Sequence, residues 1–479
     1  MSLYASFNGT LGTTTIPRRP EILTLQHEKV RLGNVCYIKA EHKGLIAAVD
    51  AKIYRIERYL KREESGQTRV LFGDPIMLGS DYVRELEGKV DWKDKRRRKL
   101  DRGRGGQTIT ISSESTSRAP WYANVIVPAG ATNAQDYIKQ AIDMLGPAGG
   151  RIVLLEGNYY IDGWTDYVKE FTSHILTGVS IPSNVSIEGQ GETTKIIIHE
   201  SMEDKFRAFG DIENPEGGVV FYIFRNTLAP EWEVPESEYE TSISLNNLSI
   251  SGVAVWEREF PELEFVNLYA LFFRNLRNLT GEKIWIMGVD YAVYVRYSTT
   301  CTLRDVITQE HIWISDSNLC EIVNSQARRL DFRNTNDCKA IGGSYGQVSF
   351  LSTVKNILMG ANIEQKAVGS GVEVFGSLVH PAIDNKIDGN IIEQVEVRGS
   401  SVIAGIWVGG YGGETDTYGT IVQNNIVRGK SPGLQDYGVY IGETADSTWI
   451  SQNDITGSGV YVLIDNGTNS KISENKGLD

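Results

Sequence analysis

Four stretches of this chain repeat one pattern at a nearly fixed step, and that step constrains the fold more than any other feature. YAVYVRYST (291–299), EHIWISDSN (310–318), RRLDFRNTN (328–336) and GQVSFLSTV (346–354) follow one another at offsets of 19, 18 and 18 residues. Val293, Ile312, Leu330 and Val348 share one position, and Val295, Ile314, Phe332 and Phe350 share the position two residues on. Alternation with period two marks a strand buried on one face. Cys320, Cys338 and Asn356 keep the 18-residue step, so the segments between the strands are in register as well.

The strand returns later at wider spacing, as SGVEVFG (370–376), AGIWVGG (404–410), YGVYIGE (437–443) and SGVYVLI (458–464). A second element follows each one: IDGNII (387–392), VQNNIV (422–427), ISQNDI (450–455) and ISENKG (472–477). Its pattern is an aliphatic residue, two others, then Asn. A unit this short cannot bury its apolar side alone, whereas stacked units can. The pattern therefore predicts a mainly β solenoid, a parallel β-helix. Each strand pairs with its equivalent one coil on, at about 4.8 Å, and aliphatics stack inward on aliphatics. Asn tolerates a left-handed bend, and Asn390, Asn425, Asn453 and Asn475 are predicted to form an internal ladder. Variation in coil length belongs to the turns. Leucine-rich repeats fit poorly because LxxLxL is missing, and helical repeats fit poorly because no 3.6-residue period is present.

Upstream of the repeat, NAQDYIKQAIDML (133–145) reads as a helix with Ile138, Ala141, Ile142 and Leu145 on one side and Asn133 as its N-cap. GPAGG ends it. Such a helix serves as a lid, since an open β-helix end exposes unpaired backbone and apolar core. RIVLLEGNYYIDG (151–163) reads as a strand, and HILTGVSIPSNVSIEGQGETTKIIIHE (174–200) supplies more. This order resembles the first coils of the pectate-lyase-like superfamily, above all its bacteriophage tailspike and appendage members. The resemblance implies a right-handed parallel β-helix, trimeric assembly as in the phage members, and carbohydrate as ligand. The RxPxxR pattern of the pectate lyases is missing, as is the NTD, DD, GHG, RIK series of the polygalacturonases. HIWISDSN (311–318) matches just the first half of the lyases' WIDH stretch, so no catalytic residue carries over from the family.

Residues 1–120 lack the repeat. Gly44–Ser65 reads as a helix whose apolar Ile46, Val49, Ile53, Ile56 and Leu60 are spaced 3, 4, 3, 4. Two readings stand: a coiled-coil seam of more than two strands, or an amphipathic helix packed within its own subunit. Ser80–Leu100 reads as a second helix, with Val83, Leu86 and Val90 on one side. It runs into KDKRRRKLDRGRGG (93–106). That run is either a solvated helix end or a binder of nucleic acid or an acidic protein. Trp92 is its one aromatic neighbour, too little for base stacking. QTITISSESTSRAP reads as a polar linker. The expected layout is a helical attachment and oligomerisation region (1–106), a linker (107–120) and a β-helix (121–479). The β-helix carries a helix cap at 133–145 and inserted loops at 201–240 and 255–265.

Several function classes are disfavoured. A net charge of −13 argues against nucleic acid as the main partner. No C-x-x-C pair occurs among the four cysteines, and the six histidines lack metal spacing, so no metal or cofactor is expected. The four cysteines read as buried, inert thiols. No run of 18 apolar residues exists, so no membrane insertion is expected. No secretory leader is apparent, so an outward-facing location points to a virion surface.

Chemistry is expected on the outward positions of the recurring strand: Tyr294, Trp313, Asp331, Ser349, Glu373, Trp407, Tyr440 and Tyr461. Outward aromatics either stack on sugar rings or are covered by neighbouring subunits of a trimer. Asp331 and Glu373, two coils apart and about 9–10 Å from one another by stacking geometry, are the candidate catalytic pair. That spacing is near the upper end of the inverting-glycosidase range of about 6.5–9.5 Å. Trp313, Trp407, Tyr440 and Tyr461 are candidate ligand contacts. Two acidic, aromatic insertions, APEWEVPESEYE (229–240) and VWEREFPELEF (255–265), add Glu231, Trp232, Glu233, Trp256 and Glu257. GQGET (189–193) lacks the Lys and helix of a phosphate loop and reads as a turn.

The leading expectation is a viral tailspike or appendage protein, recognising a host cell-surface polysaccharide as a homotrimer and docked to the virion or tail through its N-terminal region. The alternatives are a polysaccharide depolymerase, lyase or inverting hydrolase, on the same scaffold, and a purely structural virion component.

Overall fold

The computed structural model describes residues 35–42, 45–58, 68–72 and 107–478, apart from 115–122, 171–172, 210–218, 228–232, 253–265, 366–369, 378, 395–403, 411–415, 430–436 and 457–460. The chain divides into two compact units, Met1–Gly105 and Gly106–Asp479.

The second unit is a parallel β-helix with three faces. The first face carries the recurring strand, including Tyr291–Arg296, His311–Ser315, the end of Gln326–Arg333, and the end of Ser344–Leu351. It continues through Val372–Phe375, Ala404–Val408, Tyr437–Ile441 and Tyr461–Asp465. The second face carries Glu321–Val323, Lys339–Ile341, Ile357–Met359 and Lys386–Asp388 and their successors. The third carries Asn362–Gln365, Ile391–Gln394 and Ile426–Gly429. On the first face the inward column Val293, Ile312, Leu330, Val348, Val372, Ile406 and Val439 is paired step by step. A bulge between Tyr291 and Val293 takes the offset to 19, which holds as far as Ile307 paired with Gln326, and the 18-residue step begins with His311 paired with Arg329.

Like stacks on like along the core. Phe332 and Phe350 lie parallel at 5.4 Å and both are fully buried. Each such ring contributes about 1.5–3 kcal/mol by leaving water. Cys301, Cys320 and Cys338 form a buried column of free thiols. The Cys320 N–H donates to Cys338 Sγ at 3.4 Å, and the Cys338 N–H donates to Asn356 Oδ1 at 3.0 Å. The neighbouring Cys301 thiol pushes the Cys320 thiol pKa well up, which opposes thiolate chemistry.

The regular stretch is shaped by left-handed bends that recur in each coil. Asp316, Leu319 and Asn324 have φ of 47°, 54° and 48°; Asn334, Asp337 and Gly342 occupy the same places 18 residues on, as do Ser352, Lys355 and Gly360 after them. Asp, Asn and Gly suit this conformation, whereas Leu and Lys tolerate it at a cost.

The asparagine ladder forms as expected. Asn390 Nδ2 donates to Asn425 Oδ1, Asn425 Nδ2 to Asn453 Oδ1, and Asn453 Nδ2 to Asn475 Oδ1, each at 2.9 Å. The same Oδ1 atoms also accept the backbone N–H of the preceding ladder residue. The left-handed bend, however, belongs to the residue before each rung: Gly389, Asn424, Gln452 and Glu474. The bend turns the next side chain inward, and the amide then supplies hydrogen bonds that the corner backbone needs.

The cap helix α1 (Ala134–Leu145) buries Ile138, Ala141, Ile142 and Leu145 against the first coils. Asn133 makes no cap through its side-chain oxygen; its Nδ2 donates to Asp136 Oδ2 at 2.8 Å.

Four expectations are corrected. Leu45–Arg58 is a strand, antiparallel to Val35–His42 and Thr68–Phe72, and neither a helix nor a coiled coil. Its Ile and Val residues favour extended backbone, and a bulge between Ile53 and Arg55 breaks simple alternation. Gln107–Ser113, read as linker, is a strand paired with Gly150–Leu154, so the β-helix begins there, with Ile109 and Ile111 in the core. The span 201–240, read as a loop, contains the helix Met202–Phe209 and a first-face strand, Val219–Asn226. RIVLLEGNYYIDG holds two strands, Gly150–Leu154 and Gly157–Ile161, rather than one. The helix expected at Ser80–Leu100 and the basic run 93–106 lie outside the described residues.

Candidate functional site

The outward column of the first face is in register from Tyr294 through Trp313, Asp331, Ser349, Glu373 and Trp407 to Tyr440. The next partner of Tyr440 is Ile464, not Tyr461. Tyr461 sits three residues earlier, stacked on Tyr437 at 5.6 Å and 53% exposed. SGVYVLI holds two overlapping alternations, and the strand uses the later one.

Aromatic clusters stand at both ends of this column. Upstream, Tyr222 stacks on Phe272 at 4.2 Å, Tyr269 on Tyr291 at 4.6 Å, and Tyr294 on Trp313 at 4.9 Å. Downstream, Trp407 packs edge-on to Phe375 and Tyr440 at 5.6 and 5.0 Å. Trp407 and Tyr440 are each 7% exposed, so the chain itself covers them. They are structural aromatics, not open sugar platforms. Trp313 and Tyr291 remain half-exposed.

Between the clusters lies a polar band. A second outward row, Tyr291, His311, Arg329 and Gln347, runs beside the column, on the N-terminal side of each strand. Applying the period-two rule one step further identifies this row from sequence, so His311, Arg329 and Gln347 were within reach of that rule. Arg329 Nε donates to Asp331 Oδ1 at 2.7 Å. The Ser370 N–H donates to Glu373 Oε1 at 3.1 Å. Gln347 and Ser349 face outward and yet are buried, so the band is recessed.

Burial raises the pKa of both acids. Asp331 is pushed up by desolvation against the pull of Arg329. Glu373 is pushed up by desolvation, with the Asp331 charge adding to it and the Ser370 N–H opposing. Burial lowers the His311 pKa, against the pull of Asp331. The recess thus combines an aromatic wall (Trp313, Tyr291), a guanidinium, an imidazole and two acids whose pKa values burial raises, a set of groups that suits hydroxyl-rich ligands.

Of the insertion residues, Glu233 is exposed. Glu231, Trp232, Trp256 and Glu257 lie outside the described residues. Among the described residues, no group of three or more His, Cys, Asp or Glu is placed to hold a metal ion. No described helix is long and apolar enough to cross a membrane.

No family model matches the chain, and no curated protein matches it. Similar solved structures include a tailspike protein of E. coli bacteriophage HK620 in complex with a pentasaccharide, at 12% identity and TM-score 0.48, covering 74% of this chain and 63% of that one. The A-module of a mannuronan C-5 epimerase from Azotobacter vinelandii is similar at 16% identity and TM-score 0.46, over 71% of this chain and 94% of the other. ORF18 of Geobacillus virus E2 is similar at 10% identity and TM-score 0.38, over 86% of this chain and 66% of the other.

Proposed function

We propose that this chain is a virion tailspike- or appendage-type receptor-binding protein that holds a cell-surface glycan in the recess on its first face. One observation carries the reading. Arg329, Asp331, Gln347, Ser349 and Glu373 share one recessed polar floor on successive paired strands, beside the half-exposed ring of Trp313. A polar floor with one open aromatic wall suits a long chain laid along the face. The protein works as a homotrimer, and its N-terminal unit docks to the virion or tail. Light scattering on purified full-length chain tests the trimer, and a monomer removes that part of the reading. Retention of the chain on surface polysaccharide, compared between wild type and Trp313→Ala, tests the site.

A second reading is a depolymerase of the inverting kind, with Asp331 and Glu373 as its carboxyl pair. It is favoured by their shared column and by burial that raises both pKa values, since a general acid must hold its proton near neutral pH. Release of reducing ends that stops in both Asp331→Asn and Glu373→Gln supports it. A chain that binds polysaccharide and releases nothing leaves the binding reading alone.

A further inference from the structure

The first coils carry a second recess, on the third face beside α1, that the first-face site does not use. It is a half-open depression of about 490 Å³, and its lining includes Thr132, Asn158, Tyr160, Ile197, His199 and Glu200. Tyr160 and Ile197 are outward neighbours on adjacent paired strands and make an apolar wall. The His199 ring stands edge-on to Tyr160, at 5.8 Å and 88°.

The hydrogen bonds fix which groups remain to bind something. The Ser201 backbone N–H donates to His199 Nδ1 at 3.3 Å, so Nδ1 carries a lone pair and the neutral ring bears its proton on Nε2. Tyr160 Oη accepts from Asn158 Nδ2 at 3.5 Å, which leaves the phenol proton for another acceptor. Among the described residues, neither His199 Nε2 nor the exposed Glu200 carboxylate makes a hydrogen bond. The rim is held in place by Asp162, which accepts from Thr132 Oγ1 at 2.6 Å and Gln135 Nε2 at 3.1 Å and faces Lys205 Nζ at 3.8 Å.

The recess therefore offers a ring face, two unspent donors and one unspent acceptor on a braced frame. Its one uncompensated charge is the Glu200 carboxylate, which repels anions. Sugar rings present C–H faces to aromatic rings, and their neighbouring hydroxyls both donate and accept. The volume falls in the range of sites for small ligands, about 300–1,000 Å³. We infer that this recess is a second carbohydrate site, specific for a short neutral oligosaccharide and independent of the first-face recess.

Saturation-transfer NMR on the full-length chain, with maltotriose, cellotriose and mannotriose as probes, tests the inference. At least one probe is expected to receive saturation. Its affinity should fall about tenfold, or 1.4 kcal/mol, in Tyr160→Ala and again in Glu200→Trp, which fills the recess from an exposed position and keeps the test open should Tyr160→Ala not fold. Both variants should keep the wild-type circular dichroism spectrum and retention on polysaccharide. No transfer to any of the three probes overturns the site. So does undiminished affinity in Glu200→Trp, or binding lost in Trp313→Ala and kept in Tyr160→Ala, which places the sugar on the first face.

Discussion

Asp331 and Glu373 stand two coils apart in one outward column, with Ser349 between them. Burial raises both carboxyl pKa values, and the Asp331 charge adds to the shift at Glu373. For an acid raised on folding, the fold favours the protonated form. Stability is then greatest below the unfolded pKa, near 4, and declines as pH rises through the raised folded value. Glu373→Gln keeps an oxygen for the Ser370 N–H and removes the charge. Its apparent Tm should exceed that of wild type at pH 7, by about 1 °C or more, and equal it near pH 3. Thermal scans at the two pH values decide this; a variant less stable at pH 7 contradicts the assigned cause.

The asparagine ladder predicts a position-dependent cost for one substitution. Asn425→Ala removes the acceptor of two Asn390 donors, in a site with no solvent. Each orphaned buried group costs about 1–3 kcal/mol, so a loss of about 3 kcal/mol or more is expected. Asn475→Ala, at a half-exposed rung, should cost distinctly less because water replaces the amide. Denaturant unfolding of both variants measures the difference, and equal losses contradict a ladder that acts through burial.

Leu319 holds a left-handed bend with φ 54° and is 54% exposed. It therefore has the cost of that conformation with little burial in return. Leu319→Asn should stabilise the chain by about 0.5–1 kcal/mol. An unchanged or lowered midpoint of unfolding removes this account of the bends.

Trp313 and Trp407 look alike in sequence and differ in the fold. Trp407→Ala should destabilise by about 3–5 kcal/mol, as for a core aromatic. Trp313→Ala should cost clearly less stability and weaken glycan retention. Melting curves and binding measured on the same two variants separate the roles; reversed effects contradict them.

The β-helix was legible because its inward positions obey a simple rule: Val293, Ile312, Leu330 and Val348 must stack if units of 18 residues are to share a core. The ladder was legible for a similar reason, since Asn at a fixed place beside an aliphatic has few uses in a solenoid. The bend residue was not, because in VQNNIV either Asn suits a left-handed conformation and the structure gives it to Asn424. Leu45–Arg58 misled because spacings of three and four between Ile and Val residues fit a helix, while the outcome is set by pairing with Val35–His42. The covering of Trp407 left no local trace, since burial of an outward residue depends on parts of the chain remote in sequence.

The account rests on the first-face recess as a glycan site, and one binding experiment addresses it directly. Purified full-length chain is applied to an array of bacterial surface polysaccharides, alongside Trp313→Ala and Arg329→Ala checked for native circular dichroism. The account predicts selective binding to a small set of polysaccharides, reduced about tenfold or more in each variant. Binding that both folded variants retain in full, or no binding to any polysaccharide by wild type, contradicts it.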